Sequence, residues 1–212
     1  YIYGDLADLS HMKALINFST EGQIHITGNP YSLYTMSKSK TMSELSFSKT
    51  PLLKGVVENR DDLGFEALFK VYAHYVDDLY FDTSVFKNRS YQTNIATEWS
   101  VDNLKGDLSD IPKVSGLYFQ VLRDVKDLTY SRNKVLELVN CSRFYLAPKI
   151  SLQMYENIIT DLANALKVTF SAGAVIGLFV NDADIDNVSV TTKGYITELR
   201  NKGLVFTTNI TV

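Results

Sequence analysis

The sequence predicts an α+β or mixed α/β fold, with a helical middle between strand-rich N- and C-terminal parts. Three observations predict it. Apolar residues recur at steps of three and four through residues 65–81, 109–125 and 151–166. Alternating or continuous apolar runs, bounded by Gly, Asn and Pro, lie before residue 30 and after residue 168. A hydrophobic fraction of 45% against 21% charged residues over 212 positions is enough to bury a core, which excludes a disordered or fibrous chain.

The elements follow in order. Ile24 and Ile26 alternate with polar neighbours until Gly28, Asn29 and Pro30, which reads as a short strand and a turn. Ser and Lys surround isolated apolar residues over 37–50, so a long loop is expected there. In 65–81 the residues Phe65, Leu68, Phe69, Tyr72, Val76 and Leu79 mark one wide helical face. A period-two reading through Ala67, Phe69, Val71, Ala73 and Tyr75 also exists, but seventeen unbroken residues are long for a strand. Ser109, Asp110 and Pro112 signal a helix start, and Val114, Leu117, Tyr118, Val121, Leu122 and Val125 continue it. Val135, Leu136, Leu138 and Val139 suggest a further helix, and Phe144 to Ala147 an extended stretch before Pro148. Ser151 caps a helix with inner face Tyr155, Ile158, Ile159, Leu162 and Leu166, onto which Ile150 staples. Residues 174–180 suit a strand covered on both faces. Residues 195–212 read as a hairpin turning at Gly203. No repeat with a period of 20 to 50 residues is visible. A break near residues 100–112 divides an irregular, β-containing part with one helix (1–110) from an α/β part (111–212), the two forming separate subdomains or one domain.

Composition narrows the class. The longest apolar stretch, 172–180, is far shorter than the roughly 20 residues of a membrane helix, so no membrane partner is expected. Cys141 is the single cysteine and three histidines are scattered, which leaves no disulfide framework and no zinc set. Asn-x-Ser/Thr triplets begin at Asn17, Asn88, Asn140, Asn187 and Asn209; in so Asn-, Ser- and Thr-rich a chain they follow from composition. A cytoplasmic location, or one inside a virus particle, is therefore expected over secretion. The start at Tyr1 and a strand-like end suggest a piece of a longer or processed protein.

Tyr75, Val76, Asp77 and Asp78 form an aromatic-x-Asp-Asp string that resembles the palm motif of reverse transcriptases. The resemblance implies two-metal phosphoryl transfer, with Asp5 as the third carboxylate. It requires a strand–turn–strand at Asp77, against the helical period there. Asp182, Asp184 and Asp186 alternate like the first ligands of a calcium loop, but Asn187 and Lys193 occupy the positions where glycine and glutamate belong. Residues 187–206 look like the end of a winged helix-turn-helix, with Lys193, Arg200 and Lys202 as the basic groups. A net charge of −3 supplies no phosphate-binding excess, so nucleic acid is a disfavoured partner. His11, His25 and His74 are too separated to propose a triad, and Cys141 beside Arg143 reads as buried filler.

No catalytic residue, metal site or cofactor is therefore expected, and the balance leans away from an enzyme. The favoured function is a non-enzymatic structural or interaction subunit of a larger assembly, such as a virion or phage-tail component, acting through protein partners in a homo- or hetero-oligomer. A winged-helix DNA-binding or replication protein is the alternative, and a metal-dependent nucleotidyl transferase fragment the third. The expected interaction residues are Leu204, Phe206, Thr208 and Ile210 on a terminal edge strand, with Tyr72, Tyr75 and Tyr80 as an aromatic group.

Overall fold

A computed structural model describes residues 2–9, 11–12, 15–29, 43–58, 69–86, 97–111, 117–131, 141–164 and 170–212. It replaces the expected helical middle with strands: the chain is mostly β, a parallel, solenoid-like ladder with few helices. It divides into two compact units. The first comprises Tyr1–Ser90, Glu98–Gly106 and Asp124–Leu128; the second Tyr91–Thr97, Asp107–Arg123 and Thr129–Val212.

In the first unit the chain alternates between two parallel ladders. One joins β2 (Asn17–Ser19), β4 (Glu44–Ser46), β6 (Lys70–Ala73) and β8 (Thr97–Asp107). The other pairs β1 (Tyr3–Asp5) with β3 (His25–Thr27), continues through a bridge from Gly28 to Leu53, and pairs β5 (Lys54–Val57) with β7 (Asp78–Asp82) and β7 with the end of β8. Paired residues recur one coil apart: Phe18 with Leu45, Leu45 with Val71, Val71 with Trp99, and Val57 with Phe81. A repeat of 22 to 28 residues is therefore present where none is visible in the sequence. Leu45, Phe47, Val71, Leu79, Phe81 and Trp99 are fully buried between the ladders. Phe47 meets Phe81 at 6.3 Å and Phe81 meets Trp99 edge-on at 5.9 Å. Each such side chain contributes about 1.5–3 kcal/mol by leaving water.

One device turns the corners. Asp5, Asp82 and Asp107 each accept the backbone N–H two residues on, at 2.8 Å, and each opens a 3-10 turn. The next coil lays a left-handed glycine over such a side chain. Gly28 (φ +110°) covers Asp5, Gly55 (φ +111°) covers Asn29 and Gly106 (φ +100°) covers Asp82; at Gly106 a Cβ would stand 2.8 Å from the Asp82 carboxylate and 2.4 Å from Thr83 Oγ1. The strings Gly4-Asp5-Leu6-Ala7-Asp8-Leu9 and Gly106-Asp107-Leu108-Ser109-Asp110-Ile111 are two copies of this corner, with Leu6 and Leu108 buried in both.

Three expectations are corrected here. The helix over 65–81 is β6, a turn, and β7, with residues 65–68 outside the described set. Buried Asn103 decides it, because its amide donates to the carbonyls of Val76, Asp77 and Leu79 at 2.9, 3.2 and 3.1 Å, groups a helix would use internally. The helix over 109–125 is strand β9 (Leu117–Thr129), whose Leu117, Phe119 and Val121 are buried while Tyr118 and Gln120 are half-buried; residues 112–116 lie outside the described set. Of the loop expected over 37–50, residues 37–42 lie outside the described set and Glu44–Ser46 form β4, with Leu45 fully buried. The short strand before Gly28 forms as expected.

The second unit carries β9, β10 (Cys141–Ile150), β11 (Phe170–Val180) and β12 (Val205–Thr207) as one parallel ladder. Helix α1 (Leu152–Asn164) connects β10 to β11, α2 (Val190–Asn201) connects β11 to β12, and the two pack together. Helix α1 buries Tyr155, Ile158, Ile159 and Leu162 of the expected face, Leu166 lying outside the described residues, and Ser151 Oγ accepts the Met154 N–H at 3.4 Å. The helix expected over 135–140 lies outside the described residues.

The hairpin over 195–212 is corrected to a helix followed by a parallel strand. Ser189 caps α2 by accepting the Thr192 N–H at 3.2 Å, and the Glu156 carboxylate accepts the Ser189 N–H at 2.7 Å. These bonds, with that from the Thr192 hydroxyl, outweigh the burial that would raise the carboxyl's pKa and hold it below its usual range. Gly203 ends α2 and does not turn a hairpin: its N–H reaches the Arg200 carbonyl at 2.9 Å, and the Leu204 N–H reaches Leu199 at 3.3 Å. That pair of bonds is the glycine helix stop.

A polar cavity on the outward face of the first ladder

Alternation along β2, β4, β6 and β8 sends Leu45, Val71 and Trp99 inward and their neighbours outward. The outward row at one level is Ser19, Ser46, Tyr72 and Ser100, joined in register. Two residues further along the chain stand Glu21, Ser48, His74 and Asp102. Ser19, Glu21, Glu44, Ser46, Ser48, Tyr72 and His74 line a cavity of about 320 Å³.

The wall at His74 is fixed from behind. His74 Nδ1 lies 3.2 Å from the Asp102 carboxylate, and Ser100 Oγ lies 2.7 Å from Nε2. The carboxylate selects the tautomer protonated on Nδ1, so Nε2 accepts the Ser100 hydroxyl. The other Asp102 oxygen accepts the Tyr75 N–H at 2.5 Å, and Ser48 Oγ accepts the His74 N–H at 3.2 Å. The sequence gives no triad, yet the fold brings a serine, a histidine and an aspartate into relay order. Ser100 and Asp102 are each only 3% exposed, so this relay presents no open nucleophile and instead immobilises the imidazole. The signal that could have found it is the alternation Tyr72-x-His74 against Ser100-x-Asp102, one coil apart.

A second hollow, of about 520 Å³, lies along Thr27, Gly28, Asn29, Leu52, Lys54 and Gly55. Among its described lining residues the one cation, Lys54, stands 3.7 Å from Asp78, and no set of polar side chains converges there.

The residues expected to act are dispersed. Leu204, Phe206 and Ile210 are 6%, 6% and 5% exposed, so their side chains pack inward. The terminal strand is three residues long: Thr208 Oγ1 is 2.6 Å from the Tyr155 hydroxyl, and the Asn209 side chain bonds the Val180 N–H and carbonyl at 3.1 and 2.8 Å. Arg200 Nη2 donates to the Phe206 carbonyl at 3.2 Å, which occupies part of the strand's outer side. Tyr72 lines the cavity, Tyr75 is exposed at the turn with φ +58°, and Tyr80 donates to Asp124 at 2.5 Å; they share no helix face.

Asp77 does lie in a strand–turn–strand, but β6 pairs with β4 and the start of β8 while β7 pairs with β5 and the end of β8, so the two do not pair with each other as a hairpin. Asp5 is held by Thr27 Oγ1 and the Ala7 N–H. Asp182, Asp184 and Asp186 sit in a 3-10 turn where Asp182 pairs with Lys149. Among the described residues no group of three His, Cys, Asp or Glu is placed to hold a metal ion. In the winged-helix segment the helix forms, but the following strand runs parallel in a βαβ crossover, unlike the antiparallel wing. Lys202 is paired with Glu198 at 2.7 Å. Burial pushes the Cys141 thiol up to about 12 against the lowering by the Arg143 backbone bond, so it is an inert thiol. Among the described residues no helix is long and apolar enough to cross a membrane.

No protein-family model matches the chain, and no curated protein or solved structure is significantly similar to it.

Proposed function

We propose that the chain is a non-enzymatic interaction subunit of a larger assembly, of the kind that builds virions or phage tails, and that it engages protein partners through the outward face of β2, β4, β6 and β8. One observation carries the reading: successive coils place charged and amide side chains at the same level of one continuous parallel ladder, as in Asn17, Glu44, Lys70 and Glu98. Stacked coils of this kind form extended surfaces suited to a partner, because each coil adds one row without altering the last.

A photo-crosslinking amino acid at Lys70 should capture a protein partner in the source cells or particles, while the same probe at exposed Thr191 on α2 should not. Capture at Thr191 with none at Lys70 would overturn the proposed face.

A further inference from the structure

We propose that the cavity on this face binds a neutral polyhydroxylated ligand, a saccharide unit, whether or not the surrounding face also meets a protein. The inference rests on unmet hydrogen-bonding groups. Ser46 is 5% exposed and lines the cavity, and its hydroxyl has no partner among the described residues. Ser48 is 7% exposed; its oxygen accepts the His74 N–H, and its own proton is uncommitted. The carboxylates of Glu21 and Glu44 line the same space and make no ion pair or hydrogen bond among the described residues.

Hydroxyl donors thus stand beside carboxylate acceptors, and the occupant must satisfy both. Buried polar groups left without partners are costly, so an apolar ligand does not fit. An anion would meet two carboxylates. A basic side chain would satisfy Glu21 and Glu44 but offer no acceptor to the protons of Ser46 and Ser48. A hydroxyl group donates and accepts at one oxygen, and a ring of them answers the whole wall. Tyr72 supplies an aromatic wall of the kind that suits an amphipathic ring, apolar on its C–H face and polar at its rim. The His74 ring is held by Asp102 and Ser100, so the wall is formed before the ligand arrives, which lowers the cost of binding. About 320 Å³ lies at the small end of ligand sites, appropriate to one part of a longer glycan.

The test is saturation-transfer NMR and titration calorimetry on the full chain. The probes are neutral tetrasaccharides of glucose, galactose, mannose and N-acetylglucosamine, with tetralysine as the cationic probe. At least one tetrasaccharide should bind with a Kd of about 1 mM or tighter. Ser46→Ala and Glu44→Gln should each weaken it about tenfold, the loss expected for a hydrogen bond to a partly buried or charged group. Glu198→Gln, on α2, should leave it unchanged, and all three variants should keep the parent's melting temperature. Saturation transfer to none of the sugars, tetralysine binding in their place, or sugar binding that survives both cavity variants would each overturn the assignment. The Lys70 crosslinking result is independent of all three.

Discussion

Replacing Gly106 by alanine tests the corner that builds the first unit. Its φ of +100° is strained for any residue with a Cβ, and that atom would stand 2.4 Å from Thr83 Oγ1 and 2.8 Å from Asp82 Oδ1. Backbone strain of this kind costs about 1–3 kcal/mol. The added methyl must also displace the Asp82 carboxylate, which accepts the Ser84 N–H at 2.8 Å, and losing such a cap costs about 1 kcal/mol. The nearby Lys105 ion pair at 3.6 Å is partly exposed and adds little. Together Gly106→Ala should lose about 2–4 kcal/mol, or about 4–16 °C in Tm for a chain of this size. Gly194→Ala is the matched control. Gly194 lies inside α2 with nothing within 4 Å of a Cβ, so alanine there should be neutral or stabilise by up to about 1 kcal/mol. Urea melts followed by circular dichroism, with thermal melts alongside, read both. A loss below about 0.5 kcal/mol at Gly106, the scale of an ordinary surface change, would refute the close approach of glycine over aspartate. So would equal losses at the two glycines.

Two further outcomes follow from titratable groups. Burial alone would raise the Asp107 pKa, but hydrogen bonds from Ser131 and Ser109 bring it from 3.8 to about 2, so its stabilising effect is complete above the unfolded value and is lost as pH falls from about 4 through about 2. Urea midpoints against pH should show that decline in the parent and a shallower one in Asp107→Asn; parallel curves would contradict it. Cys141 should resist a thiol reagent at about pH 8 in the native protein and react once urea exposes it, and rapid native labelling would show the strand around it opens.

Helix α1 was legible because thirteen residues share one environment: Ser151 starts it, and Tyr155, Ile158, Ile159 and Leu162 repeat on one face. The solenoid was not, for a reason of arithmetic. A period of two includes every fourth residue, so Leu117 and Val121 fit a strand and a helix equally; Phe119 decides, since a helix would turn it away from them while the strand buries all three. Over 65–81 the buried positions Val71, Ala73, Val76, Leu79 and Phe81 step by two within each strand and by three across the turn, which imitates a helical stripe. Strands as short as β2 and β4 hold too few residues to display alternation at all.

The repeat was hidden by division of labour. A corner needs an Asp or Asn and a glycine one coil later to cover it, so some coils show only part of the device: Gly55 is followed by Val56, and Asp82 is preceded by Phe81. The string Gly-Asp-Leu itself recurs only at Gly4-Asp5-Leu6 and Gly106-Asp107-Leu108, about a hundred residues apart. The cavity depends on the same register. His74, Ser100 and Asp102 mean little as separate residues, and become neighbours only because Tyr72 pairs with Ser100 and Ala73 with Val101. A one-residue slip between β6 and β8 would turn one strand's outward set inward and leave Tyr72 and His74, or Ser100 and Asp102, in the core, so the hydrophobic inner row of Leu45, Val71 and Trp99 is what holds the polar outer row in place.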